Sequence, residues 1–333
     1  MNDISIIGAG ITGLEAARNL AQKGYRVVVL ERDAQLGGHV AQWHELYPFG
    51  RNGYLILKEL GEEALFCGAK ILTNADVVSI TRQGDCFLLT LSDGQVVESL
   101  SVLVASGFSL FDARLKEELG YGLYPGVLTA SDLEGCWMRG EDPFEQKQAP
   151  VFGIVHCVGS RDLKCGNNYC SKVCCMVAVK TAIALKKRYP GCQVTNFYMD
   201  LRMFDHGYEE LYHSAQLDYG VQFVRGRVSE VSPEQHGRLR VKAEDTLLGL
   251  PVQLLADGVV LMTGMQPNDG IAFDFNLQHN NMHFLSGLSE LLCGNATLEP
   301  GLFIAGSCKG PMTLTESVAD ARSSVLAIEE FLN

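Results

Sequence analysis

Residues 4–32 read ISIIGAGITGLEAARNLAQKGYRVVVLER. ISIIGAG is an apolar run that stops at glycines, which predicts a buried strand. TGLEAARNLAQKG has helical spacing and ends at Gly24, and YRVVVLER is a second buried strand. Between the first strand and the helix, GAGITG sets Gly8, Gly10 and Gly13 in the pattern G-x-G-x-x-G. The first glycine permits a tight turn, the second lets the backbone approach a pyrophosphate, and the third lets helix and strand pack closely. The phosphates would rest on free amides at the helix N-terminus. Glu31 closes the second strand, where an acid can accept hydrogen bonds from a ribose diol. A purely structural glycine turn is the plain alternative. The strand–helix–strand context favours a dinucleotide.

The rest of the chain extends this plan. Its 333 residues suffice for two medium domains. AKILTNADVVSITRQGDCFLLTLSDGQVV is extended, with turns at QGD and SDG, and VLVASG is a further buried strand. The middle third repeats the order: strand VFGIVHCVGS, a helix over YCSKVCCMVAVKTAIALKKRYPG, strand CQVTNFYMDLR, then extended segments and DGVVLMTGM, which matches VLVASGF in position. Two copies of one unit therefore stand in tandem, with parallel sheets covered by helices. The final segment, PGLFIAGSCKGPMTLTESVADARSSVLAIEEFLN, is a strand, a glycine loop and a long helix opened by Thr313 and Glu316 at capping-box spacing. It lacks a sheet of its own and is expected to return to the first domain. The expected division is 1–148 plus 272–333 for the first domain and 149–271 for the second.

Composition narrows the function. The formal net charge is −12, from 27 basic and 39 acidic side chains, with no basic run, so nucleic acid is not an expected partner. No apolar run reaches the length of a membrane span, and the N-terminus reads as a strand rather than a leader. A cytoplasmic setting is expected, in which eleven cysteines point to thiols, metal ligands or redox chemistry rather than disulfides.

The Gly37-Gly38 pair, the VLVASG crossing and the FIAGS loop all converge on the first glycine loop, which requires a long cofactor. This pattern resembles the flavoproteins of the thioredoxin reductase type, an α/β fold of two Rossmann-like dinucleotide-binding domains, and the resemblance implies FAD. The residues placed at it are Gly8, Gly10, Ile11, Thr12 and Gly13; Glu31 and Arg32; Gly37, Gly38, His39 and Val40; Arg51 and Asn52; Val77; Ala105, Ser106 and Gly107; and Gly306, Ser307, Met312 and Thr313. In that family the position of Ser307 is usually an aspartate. His39 and His44 are placed to move protons near the ring, although a structural histidine is the plainer reading. Arg51 is placed to stabilise an anionic reduced ring or to stand solvated.

The second copy departs from the first. In place of GAGITG it has CVGSRD, where only Gly159 remains and Arg161 and Asp162 fill the space of a pyrophosphate. A nicotinamide dinucleotide should bind poorly there. Asp200 stands where the ribose acid of the copy would be, as a remnant of it or as a plain surface aspartate. The chain has no C-x-x-C pair, and a disulfide between the adjacent Cys174 and Cys175 would be strained. Cys157 falls at a strand end and Cys170, Cys174 and Cys175 at the start of the next helix, with Cys170 and Cys174 one turn apart on one face. Four such thiolates suit an iron–sulfur cluster. Buried small apolar residues, a zinc site and a redox disulfide from Cys157 to Cys170 or Cys165 stay open on residue types alone.

C-x12-C-x3-C-C within HCVGSRD…YCSKVCCMVAVKTA, together with FSLFDARLKEELGYGLYP, FYMDLRMFDHGYEELY and GMQPN, resembles the A-type subunit of heterodisulfide reductase over nearly the whole chain. The resemblance implies a thioredoxin-reductase-like FAD unit and a [4Fe–4S] cluster held by Cys157, Cys170, Cys174 and Cys175, with Cys165 a free thiol nearby. The ferredoxin-like cysteine runs of the larger members are absent, and HELYPFGRNGYLIL carries no cysteine where the longer forms do. The chain thus resembles the short form of the heterodisulfide-reductase-like complexes of sulfur-oxidising bacteria. The implied role is an electron-transfer flavoprotein subunit that exchanges electrons between FAD, the cluster and other subunits of such a complex, with a homodimer as the expected assembly. The alternatives are a stand-alone NAD(P)H-dependent flavin disulfide reductase and a flavin-bearing structural subunit.

Overall fold

A computed structural model describes residues 1–333 except Phe49, Asp269, Phe275, Asn276 and Glu290. The chain forms two compact units. One comprises Met1–Leu46, Gly50–Ser109 and Gln266–Asn333; the other is Leu110–Met265, with Tyr47 and Pro48 grouped with it.

In the first unit, strands Lys70–Leu72, Val27–Leu30, Asn2–Ile7, Val96–Val104 and Leu302–Ile304 pair in that order, all parallel. Strand geometry sends successive side chains to opposite faces. Ile4, Ile6, Val27, Val29, Leu103 and Phe303 accordingly pack with Leu14 and Leu20 of helix Ile11–Gln22, Leu57 of helix Gly53–Phe66 and Val325 and Ile328 of helix Leu314–Leu332. Val28, Leu30, Val102, Val104 and Ile304 face the other way, onto Ile80, Phe87 and Leu89 of the antiparallel strands Val77–Gln83 and Cys86–Leu91. Ile7, Leu30, Val104 and Ile304 lie level at the carboxyl ends of their strands. The loops that follow at 8–10, 105–107 and 305–307 therefore emerge side by side. The return of the final strand and helix to this unit is as the sequence predicts.

The second unit repeats the layout. Strands Gln222–Arg225, Gln193–Tyr198, Val151–Val158, Gly258–Thr263 and Val127–Thr129 form a parallel sheet. An antiparallel trio, Val228–Pro233, Leu239–Asp245 and Leu250–Ala256, covers one face through Val231, Leu239 and Val241, packed on Val155, Phe197, Val259 and Leu261.

Two expectations change. Residues 110–148, assigned above to the first domain, group with the second, because Val127, Leu128 and Thr129 pair with Val259, Val260 and Leu261. The same division places residues 266–271 with the first unit. The helix bearing the cysteines begins at Cys174, not at Tyr169 or Cys170. Lys172 has φ +66°, which interrupts a right-handed helix, and the Ser171 hydroxyl is bound to Ser160 while accepting the Met265 amide at 2.8 Å. Cys170 therefore does not share a helical face with Cys174.

Candidate functional site

A groove opens at the carboxyl ends of the first unit's strands. Gly8 has φ +99°, and a Cβ there would stand 2.5 Å from the Ala105 carbonyl oxygen. A Cβ at Gly13 would stand 1.9 Å from the Gly8 oxygen, so helix and loop are in direct contact. At Gly10 a Cβ would meet nothing within 4 Å, which leaves bare backbone facing open space. Helix Ile11–Gln22 has no side-chain cap and no acid in its first turn. Its leading amides and the positive end of its dipole are available to an anion. The buried Glu31 accepts the Ala9 amide on Oε2 at 2.7 Å and the Asp33 amide on Oε1 at 3.0 Å. A carboxylate has about four lone-pair sites, so acceptor capacity remains for a diol.

Most of the residues placed at the cofactor meet here: Gly8, Gly10, Ile11, Thr12, Glu31, Arg32, Gly37, Gly38, His39, Val40, Val77, Ala105, Ser106, Gly107 and Ser307 all line the groove. Gly13 supports the loop from behind. Gly306 lies against Thr12, where its Cβ would reach Oγ1 at 2.3 Å, and donates its amide to Asp320 at 2.7 Å. Arg51 forms an exposed pair with Glu59 at 2.6 Å outside the groove. Asn52 caps helix Gly53–Phe66, its Oδ1 accepting the Leu55 amide at 3.2 Å. Met312 and Thr313 also lie outside the groove lining; Thr313 caps the final helix in a reciprocal box with Glu316.

His39 stacks on Phe108 with centroids 4.3 Å apart, and its Nε2–H donates to the Phe108 carbonyl at 2.8 Å. Burial, and secondarily the charge of Arg32, hold its pKa below the usual 6.5, and the stacked ring fixes the loop. His44 does not line the groove. Sequence reading missed Asp33, Phe108 and Asn268. The last donates Nδ2 to the Ser106 carbonyl at 2.9 Å from a segment far away in the chain.

At the corresponding place in the second unit the connection between strand Val151–Val158 and helix Cys174–Arg188 runs from 159 to 173, against 8 to 10 in the first unit. Arg161 donates its amide to the Tyr169 carbonyl at 2.9 Å, Asp162 to Asn167 at 2.9 Å, and Asn167 Nδ2 to Gly159 at 2.9 Å. Cys157, Arg161 and Lys172 all have positive φ, three of the seven such non-glycine residues among those described. Backbone of this kind persists where surrounding contacts over-determine it, which happens most at functional sites.

Cys157, Cys174 and Cys175 are buried, Cys170 is half-buried, and all four are free thiols. Burial pushes the Cys157 thiol up to about 11, with Cys175 and Cys170 adding to the rise. Burial likewise raises Cys174 well above its usual range, and Cys157, Cys175 and Cys170 each contribute. The four therefore lie within electrostatic reach of one another, and burial disfavours the thiolate forms of Cys157, Cys174 and Cys175 unless a cationic centre compensates them. Among the described residues, no three His, Cys, Asp or Glu side chains are drawn together to metal-ligand distances. Cys165 is half-buried in the same loop, in electrostatic reach of Lys116. Asp200, at the foot of strand Gln193–Tyr198, receives Arg161 Nη2 at 2.8 Å and Arg225 Nη2 at 3.3 Å.

Residues 6–61 match the family of NAD(P)-binding Rossmann-like domains. The whole chain superposes on thioredoxin reductase from Lactococcus lactis with a TM-score of 0.73 at 18% identity, covering 100% of this chain and 99% of that one. For the T. acidophilum thioredoxin reductase the values are 0.72, 18%, 100% and 99%. These likenesses establish the fold as that of thioredoxin reductases. In sequence the chain is 30% identical, over 97% of its length, to the iron-sulfur A-type subunit of the CoB–CoM heterodisulfide reductase of Methanocaldococcus jannaschii. It is 36% identical, over 68% of its length, to the A-type subunit of the H(2):CoB-CoM heterodisulfide,ferredoxin reductase of Methanothermobacter marburgensis. The chain belongs to the family of heterodisulfide reductase A-type subunits. This family member spans 63% of the M. jannaschii relative and 36% of the M. marburgensis one. The alignment with the former runs to 417 positions for a chain of 333 residues, so that relative carries inserted residues within the matched span. Among the described residues of this heterodisulfide reductase homologue, no helix is long and apolar enough to cross a membrane.

Proposed function

We propose that the chain is an oxidoreductase subunit that passes electrons between FAD in the first unit and a [4Fe–4S] cluster in the second, within a heterodisulfide-reductase-like complex of sulfur metabolism. FAD supplies two-electron chemistry when bound, and the cluster takes electrons one at a time. The chain's own residues bind and orient both. The first glycine loop and the uncapped helix receive the pyrophosphate, Glu31 the adenosine ribose, and the loops at 37–40 and 105–107 the flavin side of the groove. Cys157, Cys170, Cys174 and Cys175 hold the cluster. The other subunits handle the sulfur compound. A cytoplasmic homodimer of the short form, without ferredoxin-like insertions, completes the reading.

One observation carries it. In a fold built twice, the connection at the second crevice is a long loop with Cys157, Cys170, Cys174 and Cys175 in it or at its ends, rather than a short stretch of open glycine backbone. The ribose acid of that copy is also occupied, because Asp200 is held by two arginines. A nicotinamide cofactor would have to displace both. The test is FAD, iron and acid-labile sulfide per chain in protein purified without oxygen, repeated on Cys174→Ala. One FAD and about four irons, with the iron lost and FAD kept in the variant, is the expected result. FAD without iron after anaerobic reconstitution, together with rapid flavin reduction by NADH, would instead establish the stand-alone reductase.

A further inference from the structure

Three loops meet at the groove, and each is pinned by a side chain from elsewhere in the chain. Glu31 accepts the Ala9 amide at 2.7 Å, Asn268 donates to the Ser106 carbonyl at 2.9 Å, and both of these residues line the groove. The third loop is pinned from outside it. Ala305 still follows the sheet, its amide donating to the Val104 carbonyl at 3.0 Å. At Gly306 the backbone turns away with φ +76°, packed against Thr12. Asp320, in the second turn of helix Leu314–Leu332, accepts the Gly306 amide on Oδ2 at 2.7 Å. Its Oδ1 accepts Lys309 Nζ at 2.7 Å and Asn295 Nδ2 at 3.2 Å, and the Asp320 and Lys309 side chains are only 17% and 15% exposed. Past Ser307 the loop is held again, because the Cys308 carbonyl accepts the Leu285 amide at 3.0 Å and the Lys309 carbonyl accepts Asn280 Nδ2 at 2.9 Å. Ser307 lies between these two clamps. It lines the groove, and among the described residues its hydroxyl has no hydrogen-bond partner. A sheltered carboxylate bound to an amide is a strong, directional link, so the place of Ser307 is set by a residue that does not itself line the groove.

We infer that Asp320 is a positioning residue for the flavin: through the Gly306 amide it holds Ser307 so that the free hydroxyl can bond a polar group of the bound cofactor. The inference rests on the flavin reading above and involves none of the thiols. Lys309 has a different part. It balances the charge of a carboxylate held largely out of water, whereas the amide needs only an oxygen. A purely structural tie between loop and helix would stabilise the fold without altering what Ser307 does, and this separates the two roles.

The experiment compares FAD binding, by equilibrium dialysis of the full chain, in variants that all carry Lys309→Met so that no charge is left alone. Asp320→Asn keeps an oxygen for the Gly306 amide, and Asp320→Leu has a similar shape and no acceptor. The Asn variant is expected to bind FAD as the parent does. The Leu variant should bind about tenfold more weakly and show a shifted flavin spectrum, as befits about one lost hydrogen bond. Adding Ser307→Ala should abolish the difference between the two, because the residues act in series. Equal binding by the Asn and Leu variants overturns the inference, as does a difference that persists without the Ser307 hydroxyl. If the Leu variant fails to fold, Ser307→Ala alone decides: a loss of about tenfold supports the inference and unchanged binding overturns it. A parent protein that binds no FAD removes the flavin reading, and this inference with it.

Discussion

The two units share one plan and differ in one connection. Between the central strand and the helix that follows, the first unit has residues 8–10 and the second has 159–173. The short glycine connection leaves amides facing an open groove, with Glu31 beside them. The long one carries Cys170, is flanked by Cys157, Cys174 and Cys175, and pairs its Arg161 with Asp200, which also pairs with Arg225. A crevice at the carboxyl ends of parallel strands is offered by the fold in either case. The length and chemistry of a single loop decide whether bare backbone faces it.

The comparison can be broken hardest at Gly13. A side chain there would stand 1.9 Å from the Gly8 oxygen, so Gly13→Val must push the loop off the helix. The expected outcome is a flavin content below about one-tenth of the parent's, a destabilisation of at least about 2 kcal/mol, and iron retained by the second unit. Absorbance at the flavin bands with iron analysis checks it. Loss of both would show that the two loops are not independent.

The second unit carries its own internal support. Lys180, on the cysteine-bearing helix, is bound to Glu134 of helix Ala130–Met138 at 2.6 Å, with side chains only 9% and 2% exposed. Glu134→Gln would remove the carboxylate charge beside a buried lysine, at a cost of about 3 kcal/mol. Urea unfolding followed by circular dichroism should register the loss, while flavin release moves little.

The smallest effect sharpens the assignment of one residue. Asn52 acts as a helix cap rather than as a cofactor contact. Asn52→Ala should lower stability by about 1 kcal/mol and leave the flavin content and spectrum unchanged. A shifted flavin spectrum would return Asn52 to the site.

Much of this was legible along the chain. The glycine pattern between a strand and a helix, the tandem repeat, the returning C-terminal segment and the Thr313–Glu316 box all depend on neighbours in sequence, and each is present as read. Local backbone preference and hydrophobic periodicity suffice for such features, because the residues that decide them lie within a few positions of one another. The tertiary structure decided what depends on distant segments. Strand Val127–Thr129 joins the second sheet because its partners lie 132 positions onward, at Val259–Leu261. The helix starts four residues after Cys170 because Ser171 is bound to Ser160 and Met265. Arg161, legible only as an obstacle to a pyrophosphate, is revealed as a restrained cation by contacts to Tyr169, Asp200 and Arg227. A side chain's spare hydrogen-bonding capacity is what remains after every partner in three dimensions is counted, and no stretch of sequence contains that sum.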